Sequence, residues 1–306
     1  MNFEILHNGK NICDSIDIVK CYSSDRYGGK LDDLTLAFVS DSNTIEFNKD
    51  DKLEIRTIGE FSTGTMYLDS CIGNDGICTV KAISCRQESK RRKSKIWNHV
   101  RLSKLIEDAA RSTGLTPVTY GIVDYTYDSI AQIKETDLQL LARVCKREGY
   151  SIKCDSGKLI VFNEYYLENN STPIEISKED VEPGYSFGRS LNGLASVTVT
   201  HFDISTMKTI SYTSRDSDVP GGEDTRVEYL KDINEAERFS IGYLRDANKY
   251  HITGTLQMSY NGSISAGTVA DLSGFEEFDG RYVVYEATHD FVREKTAIKV
   301  RKVLAY

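Results

Sequence analysis

Apolar and polar residues alternate in short runs along the first 86 residues of the chain. Such alternation is typical of strands that bury one face. Turn residues separate the runs, among them Asn8 with Gly9 and Asp75 with Gly76, which favour tight hairpins. The pattern therefore predicts an antiparallel β-barrel or sandwich. The predicted strands are 3–6, 16–22, 34–39, 52–58, 64–68 and 77–86.

The period then changes from two residues to that of a helix, over residues 97–115 and again over 136–149. Each segment ends in a glycine, Gly114 and Gly149, where a left-handed residue closes a helix. Thr136 and Gln139 have the spacing of a capping box at the start of the second helix. The predicted buried stripes are Leu102, Leu105, Ile106, Ala109 and Ala110, and then Leu138, Leu141, Val144 and Cys145.

A hairpin follows the second helix, with runs 150–155 and 158–162 joined by Ser156 and Gly157. The final third is again rich in strands, with one predicted helix that Asn234 caps through a box with Glu237. The stripe of this helix is Ala236, Phe239, Tyr243, Leu244 and Ala247. The predicted strands are 196–202, 209–213, 253–260, 268–272, 282–289 and 296–304.

These elements predict a mainly β chain with an α+β insert: two antiparallel β-barrels and a small helix-containing middle domain. A length of 306 residues is long enough for two or three domains, each with a core of its own. We find no sequence repeat between the two β parts. The predicted divisions are 1–86 for the first barrel, 87–165 for the insert, 166–189 for a linker, and 190–306 for the second barrel with one helix.

A net charge of −8 disfavours binding to nucleic acid, and the negative charge is concentrated in the first and last thirds. Lys90, Arg91, Arg92 and Lys93, with Lys95, form a basic cluster without interleaved aromatic residues, which we interpret as a solvated linker. We expect no secretion signal, since residues 1–5 lack a basic region followed by an apolar segment. No run of roughly 20 apolar residues typical of a membrane span occurs in the sequence.

Seven cysteines, an odd number, favour free thiols in a chain for which we expect no secretory signal. Cys71, Cys78 and Cys85 recur at intervals of seven, but no Cys-x-x-Cys pair or nearby histidine supports a metal site. A step of seven along one strand would also place successive side chains on opposite faces. We therefore predict no metal and no cofactor.

An enzymatic alternative rests on residues 184–188, Gly-Tyr-Ser-Phe-Gly, which match a nucleophile elbow around Ser186. His201, His251 and His289 follow as possible bases. The motif requires a helix after the serine, yet the sequence there indicates a turn and a strand. Glu276 and Glu277 are neighbours that point apart, unlike paired glycosidase acids. His289 is interpreted as a hydrogen-bonded, partly buried histidine and not as a ligand. A serine hydrolase or cell-wall-degrading enzyme using Ser186 remains the alternative hypothesis.

The middle and final parts of the chain resemble the phage late control protein D family, the baseplate hub proteins of contractile tails. The resemblance covers about residues 85–304 and lies in the collinear order of short motifs. It extends to residues 1–84 only in general layout. The matching residues are Trp97, Leu102, Ile106, Gly114-Leu115-Thr116-Pro117, Glu135-Thr136-Asp137-Leu138, Leu140-Leu141-Ala142, Glu148-Gly149, Ala266-Gly267, Phe275, Asp279-Gly280-Arg281-Tyr282-Val283-Val284 and His289.

The resemblance implies that each barrel is similar to a tail-tube subunit, so that three chains present six barrels to a six-fold tube above a three-fold spike. The implied partners are two further copies of the chain in a homotrimer, the tube protein, the central spike, and baseplate wedge or tube-initiator proteins. Sequence-specific binding of nucleic acid and insertion into a membrane are not expected. The chain would be made in the bacterial cytoplasm and assembled into a phage, a headless bacteriocin or a secretion device.

Overall fold

The computed structural model describes residues 3–40, 45–57 and 61–306, and the side chains of residues 87 and 88 are not described. Strands overlap all six predicted runs, but the runs 16–22 and 64–68 begin two residues early and end four and six residues short of the strands. Position 58 of the predicted run 52–58 lies outside the described residues. The strands are β1 Phe3–His7, β2 Lys10–Asn11, β3 Ile18–Arg26, β4 Asp33–Val39, β5 Lys52–Thr57, β6 Phe61–Ser62, β7 Met66–Asn74 and β8 Ile77–Ile83.

In the part of the chain that the structure describes, residues 93–170 form three α-helices and five strands. Gly114 caps α1 with φ 73°, and both hydrogen bonds of the predicted capping box form between Thr136 and Gln139 at the start of α2. The end of the first helix and the start of the second are thus as predicted. The elements are β9 Lys93–Arg101, α1 Leu102–Thr113, β10 Thr116–Tyr120, β11 Thr126–Glu135, α2 Asp137–Arg147, β12 Tyr150–Asp155, β13 Lys158–Asn163 and α3 Glu164–Asn170.

The remaining part contains nine strands and one long helix in the described residues. Asp232, and not the predicted Asn234, caps this helix, since its side chain accepts a hydrogen bond from the amide of Glu235. The elements are β14 Ile174–Ser177, β15 Ser186–Arg189, β16 Gly193–Asp203, β17 Lys208–Arg215, β18 Gly221–Val227, α4 Ile233–Asn248, β19 Ile252–Ser259, β20 Val269–Ser273, β21 Gly280–Asp290 and β22 Lys295–Lys302.

The fold is mainly β with antiparallel sheets, as predicted, and the largest sheet among the described residues has 14 strands. The main path of this sheet runs β15-β19-β22-β21-β3-β4-β8-β7-β5-β1-β2, while β6 joins β5 and β20 joins β21 and β14. The strands before residue 84 surround one apolar core, and β14, β15 and β19–β22 surround another. We call these two strand sets the first and second β units.

Three predicted boundaries are wrong. Trp97 lies in β9 and not in a helix, because its strand pairs with β11. Residues 166–189 are not a linker, since β14 pairs in parallel with β20 and β15 pairs with β19. The sheet β17-β16-β18 and helix α4 do not belong to the second β unit; they share a core with α1, α2 and β11, because the stripe of α4 faces that core. Sequence order alone cannot show that the chain returns to the middle part after β15.

Candidate functional site

The two β units meet edge to edge where β3 pairs with β21. The pairing extends from Glu286 opposite Arg26 to Asp290 opposite Tyr22. Arg26 Nε lies 3.1 Å from Glu286 Oε2, and the Glu286 carboxylate also binds Lys299 Nζ at 2.9 Å. Burial would raise the pKa of Glu286, but the bonds from Lys299 and Arg26 outweigh it and lower that pKa. Continuous strand pairing and the ion pairs of Glu286 with Arg26 and Lys299 thus lie at the junction of the units.

Phe291 connects the two cores directly. It follows β21 of the second β unit, yet its side chain is 1% exposed within the core of the first. Its ring centroid lies 5.7 Å from those of Phe3 and Phe61, and its amide donates to the carbonyl of Cys21 at 2.9 Å. Because an aromatic ring of this size buries much apolar surface, Phe291 anchors one unit to the other.

His289 lies at the same seam and is fully buried. One ring nitrogen is 3.0 Å from Thr296 Oγ1 and the other is 3.1 Å from the carbonyl oxygen of Ile264. The ring also packs against Phe61 of the first unit at 4.8 Å. Burial lowers the pKa of His289 to about 4, so the imidazole is neutral near neutral pH. Both ring nitrogens are thus hydrogen-bonded, as predicted, but the side chain is fully buried and not partly buried.

A buried ion network lies where the middle part meets both β units. Glu164 Oε2 contacts Arg301 Nη2 at 3.2 Å and Arg245 Nε at 3.3 Å, while its Oε1 contacts Lys249 Nζ at 3.2 Å. Glu168 pairs with the same two arginines. Burial would raise the pKa of Glu164, but Lys249, Arg301 and Arg245 hold it well below its usual range. The three cations and two carboxylates come from α3, α4, the residue after α4, and β22.

Further contacts tie this network to the first β unit. Arg301 Nε donates to Tyr27 Oη at 2.9 Å. Nearby, Lys153 Nζ of β12 lies 2.8 Å from Asp25 Oδ2 and donates to the carbonyl of Ala266 at 3.1 Å. The same Asp25 oxygen accepts from the amide of Ala266 at 2.8 Å. Each of these contacts joins segments that are more than a hundred residues apart, so the polar groups fix how the parts of the chain sit together.

The residues of the alternative enzyme hypothesis do not converge. Ser186 is exposed at the start of β15 and pairs with Thr255, so the strand replaces the helix that a nucleophile elbow requires. His289 is enclosed at the seam, and His201 packs against Tyr229. Across the described ranges, no hydrogen bond joins Ser186 to a histidine. Glu276 and Glu277 are exposed in a short 3₁₀ helix, Glu276–Phe278.

The cysteine prediction needs one correction. Cys71 and Cys78 do not point to opposite faces, because the turn at Asn74–Gly76 reverses the chain between them, and their sulfur atoms are 3.3 Å apart. All seven cysteines are free thiols, as predicted. Within the described part of the chain, no group of three histidine, cysteine or acidic residues has the arrangement of a metal site.

The basic cluster is exposed to solvent, as predicted, but part of it is a strand and not a linker. Lys93 and Lys95 belong to β9, where Lys93 Nζ binds Asp137 at 2.6 Å and Lys95 Nζ lies 3.4 Å from the centre of the Trp97 ring. Over the residues that the structure describes, no helix combines the length and the apolar character needed to cross a bilayer.

Sequence reasoning missed the ion network. Glu164, Glu168, Arg245 and Arg301 are residue types that are usually solvated, and the pattern places them beside apolar stripes without marking them as buried. Glu164 and Arg301 are 137 positions apart, so spacing could not pair them. Neither α4 nor β22 is otherwise apolar, so no local pattern marked Arg245 or Arg301 as buried.

The fold is that of phage tail proteins. A 43 kDa tail protein of prophage MuSo2 from Shewanella oneidensis aligns over 99% of this chain and 98% of its own, with a TM-score of 0.76 and 13% identity. A tail protein from Neisseria meningitidis MC58 aligns over 99% and 97%, with a TM-score of 0.78 and 11% identity.

The Escherichia coli c3393 protein, described as a type VI secretion component similar to the T4 tail proteins gp27 and gp5, covers 95% of this chain and 74% of its own. Its TM-score is 0.62 at 9% identity. No protein-family profile and no curated protein matches the sequence. The likeness is therefore one of fold. It agrees with the resemblance of the sequence motifs to those of baseplate hub proteins.

Proposed function

We propose that this chain is the structural hub of a contractile phage tail or a tail-like injection particle. The observation that carries the proposal is the seam: one chain holds two β units, each with its own core, joined edge to edge through β3 and β21. In a ring, each chain would fill two positions, so a homotrimer would offer six β units to the six-fold tube and three-fold symmetry to the spike. We propose three divisions of the chain, one around each of three apolar cores: the first β unit, the second β unit, and the middle part with α4 and β16–β18.

The physics of sheet edges supports closure into a ring. The main path of the large sheet ends at β2 and β15, which are two and four residues long. Short edge strands limit unspecific pairing, and a head-to-tail contact between chains would cover the remaining polar edge. Ile72 is 59% exposed and Val39 39% exposed on the first unit, and exposed apolar side chains of this kind suit a subunit contact.

The proposed role is mechanical and needs no catalysis and no cofactor. The proposed partners are further copies of the chain, the tube protein, the central spike, and wedge or tube-initiator proteins of the baseplate. The chain would be synthesised in the bacterial cytoplasm and end in the baseplate. Its negative charge would let DNA pass along a channel without binding, as it repels phosphate groups.

Sedimentation of the purified chain, alone and with its spike and tube proteins, tests the assembly. We expect a trimer, formed alone or on adding the spike, and electron micrographs showing six β units around one axis. A folded chain that sediments as a monomer and binds neither the spike nor the tube protein contradicts the proposal. An esterase or wall-hydrolysis assay tests the absence of catalysis: activity in the wild-type chain that disappears in Ser186→Ala, but not in the control Ser217→Ala, would support the enzyme instead.

A further inference from the structure

The β7–β8 hairpin brings two free thiols together. Cys71 lies opposite Val80, and Cys78 lies opposite Gly73, so the two cysteines are two pairs apart on the same face of the hairpin. Their sulfur atoms are 3.3 Å apart. The connecting turn is tight, with positive φ at Asp75 and Gly76, so the hairpin holds both side chains in place before any reaction.

The two thiols differ in access. Cys71 is exposed, whereas Cys78 is 9% exposed and faces the core of the first β unit. Exchange between a thiol and a disulfide begins with attack by an accessible thiolate. Cys71 is therefore the sulfur that a dissolved oxidant reaches first, and Cys78 is placed to react second.

We propose that Cys71 and Cys78 are a modification site that closes into a disulfide when the folded chain meets a small-molecule disulfide such as oxidised glutathione. The Cys71 thiolate attacks one glutathione sulfur and expels the other as a thiolate. The Cys78 thiolate then displaces the second glutathione from Cys71. The two protons lost by the cysteines go to the two glutathione thiolates, so one glutathione disulfide is reduced and one protein disulfide forms.

The geometry requires only a small movement. The sulfur atoms must close from 3.3 Å to about 2.0 Å, so a shift of about 1.3 Å between them completes the bond. Since both groups are held on one hairpin, the second step is intramolecular and does not depend on protein concentration.

The second step should depend on pH. Burial raises the pKa of the Cys78 thiol, and this effect persists once Cys71 carries glutathione. Only the thiolate reacts, so the rate of ring closure rises about tenfold for each pH unit while the pH stays well below the pKa of Cys78.

A second thiol pair provides an internal comparison. The Cys85 and Cys154 thiols also form a hydrogen bond, but both side chains are buried, at 0% and 2% exposure, in the core shared with α1 and α2. An oxidant in solution does not reach them while the chain is folded. The thiols are close together in both pairs, but only the Cys71–Cys78 pair has a sulfur that a dissolved oxidant can reach.

Closure would fix the end of the β7–β8 hairpin, which carries the exposed Ile72. In the proposed particle, the oxidant is met on release from the reducing cytoplasm, after assembly. The timing of closure rests on the proposed function, whereas the reaction at the sulfur atoms does not.

The test uses the full-length chain in a buffer of reduced and oxidised glutathione, followed by acid quenching, alkylation and peptide mass spectrometry. We expect a peptide linked through Cys71 and Cys78, with the other five of the seven cysteines alkylated. In Cys71→Ser, Cys78 should stay a thiol without glutathione. In the control Cys13→Ser, which removes a half-buried cysteine, the link should form as in the wild type.

Circular dichroism before quenching confirms that each variant is folded. Glutathione that remains on Cys71 while Cys78 stays a thiol overturns the proposal, as does an unreacted pair in folded protein or a link from Cys71 to another cysteine. Sedimentation of Cys71→Ser in reducing buffer separates this result from the hub proposal, because a trimer that still forms shows that assembly does not need the disulfide.

Discussion

Phe291 and Cys21 share a backbone hydrogen bond of 2.9 Å across the junction of the two β units, and this bond places the Phe291 ring inside the core of the first unit. One residue of the second unit thus completes the packing of the first. The seam is a shared core as well as a shared strand ladder, so the two units should unfold together.

Phe291→Ala tests that cooperativity. Removing a fully buried aromatic ring should cost about 3–5 kcal/mol of unfolding free energy, and the loss should appear in one transition for the whole chain. Denaturant unfolding followed by circular dichroism and fluorescence measures both. Val292→Ala is the matched control, since Val292 is 44% exposed and its loss should change stability little. A second, separate transition in Phe291→Ala would contradict coupling of the units.

His289 predicts a pH dependence of stability. The folded chain holds this side chain neutral down to about pH 4, whereas the unfolded side chain binds a proton below about 6.5. Its contribution is therefore fully present above pH 6.5 and is lost as the pH falls toward 4. The loss should be on the order of 3 kcal/mol, from 1.36 kcal/mol per pKa unit.

His289→Gln isolates this effect, because glutamine can accept from Thr296 and donate to Ile264 but does not titrate. Unfolding free energies measured between pH 7 and 4 should fall less steeply in the variant than in the wild type. Equal slopes for the two proteins would mean that His289 is not the titrating group.

Arg301→Met tests the buried ion network. The substitution keeps much of the side-chain volume but removes a partner of both Glu164 and Glu168, whose side chains are 2% and 1% exposed. Leaving buried carboxylates underpaired should destabilise the chain by about 3–5 kcal/mol. Arg293→Met is the control, as Arg293 is 79% exposed and its ion pair is long at 3.9 Å. Similar unfolding midpoints for both variants would show that the network is dispensable.

Gly242→Ala tests the approach of α4 to the end of α2. A Cβ atom at Gly242 would overlap the carbonyl oxygen of Arg147, which is backbone and cannot rotate away. The helices would have to separate, at a cost of about 1–3 kcal/mol. Gly222→Ala is the matched control, because a Cβ there meets no atom within 4 Å. Thermal unfolding compares them, and a Gly242→Ala chain as stable as the control would disprove the close contact.

The sequence predicted what local chemistry determines. Thr136 with Gln139 and the turn glycines act within a few residues, and the alternation of apolar residues revealed most strands of the first β unit. The sequence could not predict that α4 packs on α2, because that contact depends on the close approach of Gly242 to the backbone of Arg147, 95 positions earlier. Nor could it pair Glu164 with Arg301, since charge alone does not identify a distant partner.

The edge pairing of β3 with β21 also has a consequence for stoichiometry. Because both β units belong to one polypeptide, they are always produced and incorporated in equal numbers. Any particle built from whole chains must contain an even number of β units. An annulus with five or seven β-unit positions therefore cannot arise from this protein alone.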